Sequence, residues 1–431
     1  MKRLQHHLTT GRTIVLGFLA LILIGALLLS LPAARTESMT GSPLDSLFTA
    51  ASAACVTGLV VTDTGASWTL FGKIVILMLI QIGGLGVAAI GVSVTLLAVG
   101  DMRLRDRQML KEGWNLSGYG DVSGLLSRVL LITLSFEVAG SLLIWPVFAR
   151  EFGTGPGLWI SVFHAVSAFN NAGFDILGGT DSLIRYGDQI WVNLITALLI
   201  IGGGLGYLVI LEVLRYRRKR RLSLQSKVVL LTTAVLLVLG TVLLRFAAPI
   251  SWTGAFFQSV SARTAGFCTW DLCRFRPAAL LIMCLLMFVG ASPGSTGGGI
   301  KTTTLFALFL SAKSTATGKP PQAFRRRVPD STLGKAFTVL LMGGAYLMLS
   351  TLLLCLCEPG REFMTLFFES VSACCTVGLS IIPTPELGLG ARIVLIVSMF
   401  VGRIGPLTIA TLWRYTAQNE WSYSQEGFTI G

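Results

Sequence analysis

Eight stretches of this chain are apolar and nearly free of charge for long enough to reach across a bilayer: 13–31, 74–99, 125–148, 190–213, 228–244, 278–310, 338–357 and 393–412. A spanning helix needs about 20 such residues. Lipid offers no partner to bare peptide groups, so runs of this length fold as helices rather than open strands. The fold class that follows is an all-α integral membrane protein with eight spans. Of the 431 residues 53% are apolar and 13% charged, which excludes a disordered chain, a disulfide-stapled mini-protein and an ordinary soluble enzyme. The first run is uncharged for 19 residues, longer than the core of a cleaved leader, and reads as a retained helix.

Charge sets the expected orientation. The 34 basic residues outnumber the 21 acidic ones, for a net +13. In a soluble protein that excess would suggest nucleic acid. Here the clusters sit between apolar runs: Lys2, Arg3 and Arg12, then Arg103, Arg105, Arg107 and Lys111, then 215–221, then Arg325 to Arg327. Counted over whole connections and tails, the side that carries them holds 21 of the 34, which predicts a cytoplasmic face there with both termini inside. The partner implied is the lipid bilayer, with no nucleic acid. The stretch 215–221 reads equally as an anionic-lipid patch or as a docking surface for a cytosolic subunit. Eight cysteines form no CxxC pair and read as small buried hydrophobes. Three histidines are too few for a metal site, and the chain is not expected to be an enzyme.

Between the two runs of each successive pair lies a shorter segment, and four of these align: FTAASAACVTG at 48–58, FHAVSAFNNAG at 163–173, FQSVSARTAG at 257–266 and FESVSACCTVG at 368–378. The third is one residue shorter. Such an internal repeat outranks local signals. Each segment is too short to cross the membrane, and each follows a plausible helix start: Ser42-Pro43-Leu44-Asp45, Pro156, Ser251 and Pro359-Gly360. The reading is a half-helix that enters from outside, stops partway and turns back at its glycine. Non-helical backbone at that depth is tolerated where it lines a watery path. Four negative helix ends and a ring of peptide oxygens would form a cation filter. Its expected members are Cys55, Val56, Thr57 and Gly58; Asn170, Asn171, Ala172 and Gly173; Arg263, Thr264, Ala265 and Gly266; and Cys375, Thr376, Val377 and Gly378. No ring of acids sits there, so backbone carbonyls would select the ion.

On these four segments, and over nearly its whole length, the chain resembles the Trk/Ktr/HKT superfamily of potassium transport proteins. Within it the similarity is greatest to the membrane subunits of bacterial Ktr systems, because the first span begins near Thr13 without the preceding hairpin of TrkH-type members. Gly58 stands where some sodium-selective plant members carry serine; Cys55, Cys375 and the doubled Asn170-Asn171 depart from the family pattern. The resemblance implies four covalently linked helix–pore-helix–filter–helix repeats in pseudo-fourfold order around one pore, at 1–100, 101–221, 222–330 and 331–431. It implies potassium as the transported ion and no organic cofactor. It also implies a bacterial plasma-membrane location, a homodimer, and a cytosolic nucleotide-binding ring of the KtrA or TrkA type. No such ring domain is read in this chain, and the tail after 412 takes part in the dimer by the same resemblance.

The sixth run is broken by Gly290, Ser292, Pro293, Gly294, Ser295, Thr296, Gly297, Gly298 and Gly299, then Ile300-Lys301. Proline and five glycines do not hold a regular helix. The spacing misses a phosphate-binding loop, because Ile300 displaces the lysine and no strand precedes it. A bland kink and a movable intramembrane gate beneath the filter remain; the resemblance favours the gate. Arg403 lies within the last run, where a charge is costly. It reads as a structural ion pair or carbonyl contact, whereas the resemblance makes it an electrostatic barrier; Lys301 is either similar or snorkels. His164 and Glu369, each one residue after the repeat phenylalanine, read as packing or polar anchors, and Glu137 as hydrogen-bonded between helices. The glycine runs at 83–86 and 202–206 read as close helix packing. A cation-coupled transporter with alternating access is the rival function, but it needs paired intramembrane acids, and the spans hold few. A membrane-embedded enzyme is the other, and it lacks a reactive cluster.

Overall fold

The computed structural model describes residues 10–37, 42–87, 89–93, 109–110, 122–179, 181–405 and 408. The basic residues Arg103, Arg105, Arg107 and Lys111 and the tail after 412 lie outside them. The helices, in chain order, are α1 Thr10–Ser30, α2 Pro43–Ala54, α3 Leu70–Leu85, α4 Val122–Phe152, α5 Thr154–Phe169, α6 Ile190–Leu205 and α7 Tyr207–Lys219. Then follow α8 Leu224–Ala247, α9 Trp252–Ser261, α10 Pro277–Phe288, α11 Thr302–Thr317, α12 Asp330–Cys357, α13 Phe363–Cys374 and α14 Leu389–Ile404. The named strands among the described residues are Gln322–Ala323 and Arg326–Arg327, a small antiparallel pair. The chain is an all-α membrane protein.

Four helices, α1, α4, α8 and α12, are each long and apolar enough to cross a bilayer. Many of their exposed positions are apolar, among them Leu27, Leu131, Val238 and Leu356, which is the face lipid would cover. The short helices α2, α5, α9 and α13 are sequestered instead. The repeat phenylalanines Phe48, Phe163, Phe257 and Phe368 are fully buried. Two of these helices start on side-chain caps. Ser42 and Asp45 form a reciprocal capping box at α2, and Ser251 accepts from Gly254 N at α9.

Three of the four helices that follow the short ones differ from the sequence expectation. Their apolar runs predict continuous spans, but α3, α6 and α14 stop after 16 residues; α10 stops after 12, just before the break read from the sequence. Sixteen residues rise only about 24 Å, less than the roughly 30 Å of hydrocarbon. Glycine is the cause in three of the four. Gly86, Gly206 and Gly405 follow α3, α6 and α14 with φ of 91°, 92° and 91°, a conformation L side chains resist. At Gly206 the path turns by 102° into α7. The fourth break is the loop between α10 and α11.

Packing between helices runs in a cycle. Each long helix packs on the short and second helices that follow it. Each second helix also packs on the next short helix: α3 on α5, α6 on α9, α10 on α13. Finally α14 packs on α2, joining the end of the described chain to its beginning.

Candidate functional site

The short helices end alike. After α2, Val56 N–H donates to Ala53 O at 3.1 Å and Thr57 N–H to Ser52 O at 2.8 Å. After α5, Asn171 donates to Ala168 O and Ala172 to Ser167 O; after α13, Thr376 donates to Ala373 O and Val377 to Ser372 O. This is the Schellman pattern, which needs a left-handed residue at its corner. The corners are Val56 (φ 56°), Asn171 (φ 58°) and Thr376 (φ 51°). After α9, Thr264 has φ 79° and Ala265 donates to Ser261 O. Serine then holds the glycine: Ser52 Oγ accepts from Gly58 N at 3.1 Å and Ser372 Oγ from Gly378 N at 3.0 Å. The N–H groups are thus turned back to the helix, which leaves the carbonyls facing the other way.

Those carbonyls meet. A Cβ on Gly58 would lie 2.5 Å from Ala172 O, on Gly173 2.8 Å from Ala265 O, and on Gly266 2.5 Å from Val377 O. On Gly378 it would overlap Thr57 O, which closes the ring. Thr57, Ala172, Ala265 and Val377 are fully buried, and none of their four carbonyls accepts a hydrogen bond among the described residues. Nearly all buried carbonyls in proteins are paired. Four orphaned together, at the negative ends of four helices, form a concentrated site for positive charge. The glycines themselves, at φ 94°, 69°, 80° and 91°, satisfy both the backbone turn and the close approach.

Of the residues three before each glycine, two are engaged away from the ring. Asn170 Nδ2 donates to Gln81 Oε1 at 2.9 Å and Glu137 Oε1 at 3.1 Å. Arg263 reaches Gly290 O at 3.4 Å.

The loop between α10 and α11 sits against the ring. Its ends are tied by Ala291 N to Gly298 O and Ile300 N to Phe288 O, each at 3.2 Å. Ser292 N–H and Thr296 N–H donate to Gly204 O and Gly203 O, and Tyr207 N–H donates to Gly294 O. Thr296 Oγ1 donates to Phe169 O at 3.1 Å and accepts from Asn171 Nδ2 at 3.3 Å. A Cβ on Gly297 would overlap Thr264 Oγ1, and one on Gly298 would overlap Thr376 Oγ1. Glycine is required there by the threonines above it. Lys301 Nζ donates to Gly297 O at 2.7 Å and to Gly298 O at 3.4 Å. The Arg403 guanidinium donates to Thr296 O on the loop and to Gly83 O and Gly84 O at the end of α3. It therefore makes the carbonyl contact that the sequence left as one alternative.

The chain has known relatives. The pattern of the TrkH family, described as cation transport protein, matches residues 8–423. The chain belongs to that family. Ktr system potassium uptake protein B of Bacillus subtilis is 37% identical over 429 residues, covering 96% of this chain and 95% of its own length. The protein of the same name from Vibrio alginolyticus is 38% identical over 414 residues, 93% of this chain and 90% of its own. Potassium/sodium uptake protein NtpJ of Enterococcus hirae is 35% identical, covering 100% of this chain and 99% of its own. The crystal structure of the potassium transporter TrkH from Vibrio parahaemolyticus shares the fold, with a TM-score of 0.72 at 20% identity, covering 95% of this chain and 87% of its own. Within the Trk/Ktr superfamily the chain is KtrB-like.

In this TrkH-family chain the close packing read for the glycine runs and the polar anchoring read for Glu369 and His164 are found, and the structure supplies their partners; Gly402 was not singled out in the sequence. Gly83, Gly203 and Gly402 each leave room for the final carbonyl of the preceding short helix, on Ala54, Phe169 and Cys374. The signal was present: Gly83-Gly84-Leu85-Gly86, Gly203-Gly204-Leu205-Gly206 and Gly402-Arg403-Ile404-Gly405 are one motif, with Arg403 at the second glycine's place. Glu369 Oε1 accepts from Ser380 Oγ at 2.6 Å, Ile381 N at 2.9 Å and Ile382 N at 3.3 Å, bracing the strand beyond Gly378. His164 meets Thr196 Oγ1 at 2.9 Å.

Proposed function

We propose that this chain is the ion-conducting subunit of a Ktr/Trk-type potassium uptake system. Four helix–pore-helix–filter–helix units surround one pore in pseudo-fourfold order, and potassium passes through the ring of glycine strands down its gradient. The observation that carries this reading is the set of four unpaired carbonyls on Thr57, Ala172, Ala265 and Val377, each beside the glycine of the preceding strand around the ring. A dehydrated cation needs fixed oxygens in place of water, and helix C-termini favour its charge. The closed packing cycle of second helices on short helices supports the fourfold order. The names of the Bacillus and Vibrio relatives support potassium.

The loop from Gly290 to Lys301 is the gate in this reading, because it lies against the left-handed residues of three strands. Arg403 acts as an electrostatic barrier and as the latch that joins loop to α3. The basic face is cytoplasmic, and the chain works as a homodimer with a cytosolic nucleotide-binding ring; a relative named as part of a system supports further components.

The test is flux in liposomes holding the full-length chain, with a potassium gradient alone. Potassium and rubidium are expected to move passively, with no obligatory counter-ion. Movement that stops without sodium or a proton gradient would establish the coupled transporter instead.

A further inference from the structure

One buried charge has no use in the pore reading. Arg263 stands three residues before Gly266, where the other strands carry the neutral Cys55, Asn170 and Cys375. It is 7% exposed and forms no ion pair among the described residues. Its Nη2 reaches a backbone oxygen, Gly290 O at 3.4 Å, and its Nε has no hydrogen-bond partner among the described residues. A guanidinium keeps its proton in a protein. A buried group that stays charged needs a counter-charge close by.

The side chain lines a cavity of about 10 Å³ where α6, α8, α9 and the start of the α10–α11 loop meet. That is room for about one water-sized particle. Thr233 of α8 lines the same cavity; it is 6% exposed, and its Oγ1 has no partner among the described residues. The rest of the lining is small or aliphatic, Ile200, Ile201, Leu237 and Val260 among it, with no carboxylate. One small space thus brings together two buried donors, a guanidinium N–H and a hydroxyl, and no acid to offset the charge.

We propose that Arg263 and Thr233 hold a small monovalent anion of chloride size in this cavity. The Nε–H and the hydroxyl donate to it, and the aliphatic wall keeps bulk water away. A water molecule would answer the two donors but leave the positive charge standing, so the anion is the better occupant. Its position gives it a second effect. Arg263 directly precedes Thr264, the left-handed corner of the third strand, so a bare guanidinium would oppose a cation in the glycine ring. With the anion bound the pair is neutral, while Nη2 still joins the strand to Gly290 at the head of the loop. The site goes beyond the pore reading, and its test does not use flux.

The experiment follows thermal unfolding of the purified full-length chain in detergent while potassium gluconate is exchanged for potassium chloride or potassium bromide at constant ionic strength. Both halides are expected to raise the midpoint saturably, because a ligand of the folded state stabilises it. Thr233→Val keeps the side chain's shape and removes its hydroxyl, and its half-saturating chloride concentration is expected about tenfold above that of wild type. Crystals of the wild type grown in bromide are expected to show an anomalous peak beside Arg263 Nε. Midpoints that are the same in all three salts overturn the proposal, as does an equal halide response in wild type and Thr233→Val. Bromide crystals without a peak in the cavity overturn it too, and would assign the space to water. Should Thr233→Val fail to fold, the bromide peak decides.

Discussion

Valine and threonine in left-handed backbone are the strongest local anomaly in this chain. Val56 and Thr376 are β-branched, yet hold φ of 56° and 51°. Such a residue costs about 1–2 kcal/mol and persists only where its surroundings over-determine it. Here the helix-end hydrogen bonds and full burial do so. The glycines two residues later carry a different burden, since backbone conformation and a neighbouring carbonyl both exclude a side chain. Two variants separate those effects. Gly153 has φ 87° with nothing within 4 Å of the place a methyl group would take, whereas Gly378 has φ 91° and would overlap Thr57 O. Gly153→Ala is expected to lose about 1 kcal/mol of stability from strain alone and to transport normally. Gly378→Ala is expected to lose that and more, with flux falling at least about tenfold, because the displaced carbonyl belongs to the ring. Thermal midpoints and flux on the same preparations decide; normal flux in Gly378→Ala would remove the ring from the mechanism.

At the scale of elements, glycine placement explains why second helices break where they do. Gly83, Gly203 and Gly402 let α3, α6 and α14 press against the ends of short helices, and Gly86, Gly206 and Gly405 then end them. The loop after α10 replaces that arrangement with a hydrogen-bonded hairpin seated on Gly203 and Gly204. Its seat is intimate, because Gly297 and Gly298 touch threonine hydroxyls without side chains of their own. Gly297→Ala is therefore expected to lift the loop while leaving its anchors at Gly203 and Gly204 in place. Basal potassium flux in liposomes should rise by several-fold, and the unfolding midpoint should change little. Unaltered flux would mean that the loop does not control the path.

For the whole molecule, the sequence made some levels plain and hid others. The helical membrane body and the family were legible because long apolar runs admit one backbone solution in lipid. The α10–α11 interruption was legible because Pro293 cannot continue a helix. The breaks at Gly86, Gly206 and Gly405 were hidden, since glycine serves close packing and chain reversal equally well. The engagement of Arg403 with Gly83 O and Thr296 O was hidden too, because it joins residues 320 and 107 positions apart. Packing around the cycle has the same character at its last joint. Three joints bring together neighbouring stretches of chain, but α14 meets α2 from the opposite end. Arg392 Nη1 lies 2.8 Å from Asp45 Oδ1 there, across 347 positions, with side chains only 19% and 11% exposed. Closing so long a loop carries the largest entropic cost of the four joints. That joint is accordingly the one most sensitive to loss of a contact. Asp45 also accepts from Ser42 N, so a single Asp45→Asn change, which leaves one acceptor oxygen for two donors, disturbs the cap as well as the charge pair. A double-mutant cycle with Arg392→Gln isolates the pair. A coupling of about 1–3 kcal/mol in thermal unfolding is expected, above that of exposed pairs because the two side chains are mostly withdrawn from water. Additive losses would show that the ends of the cycle are held by apolar packing alone.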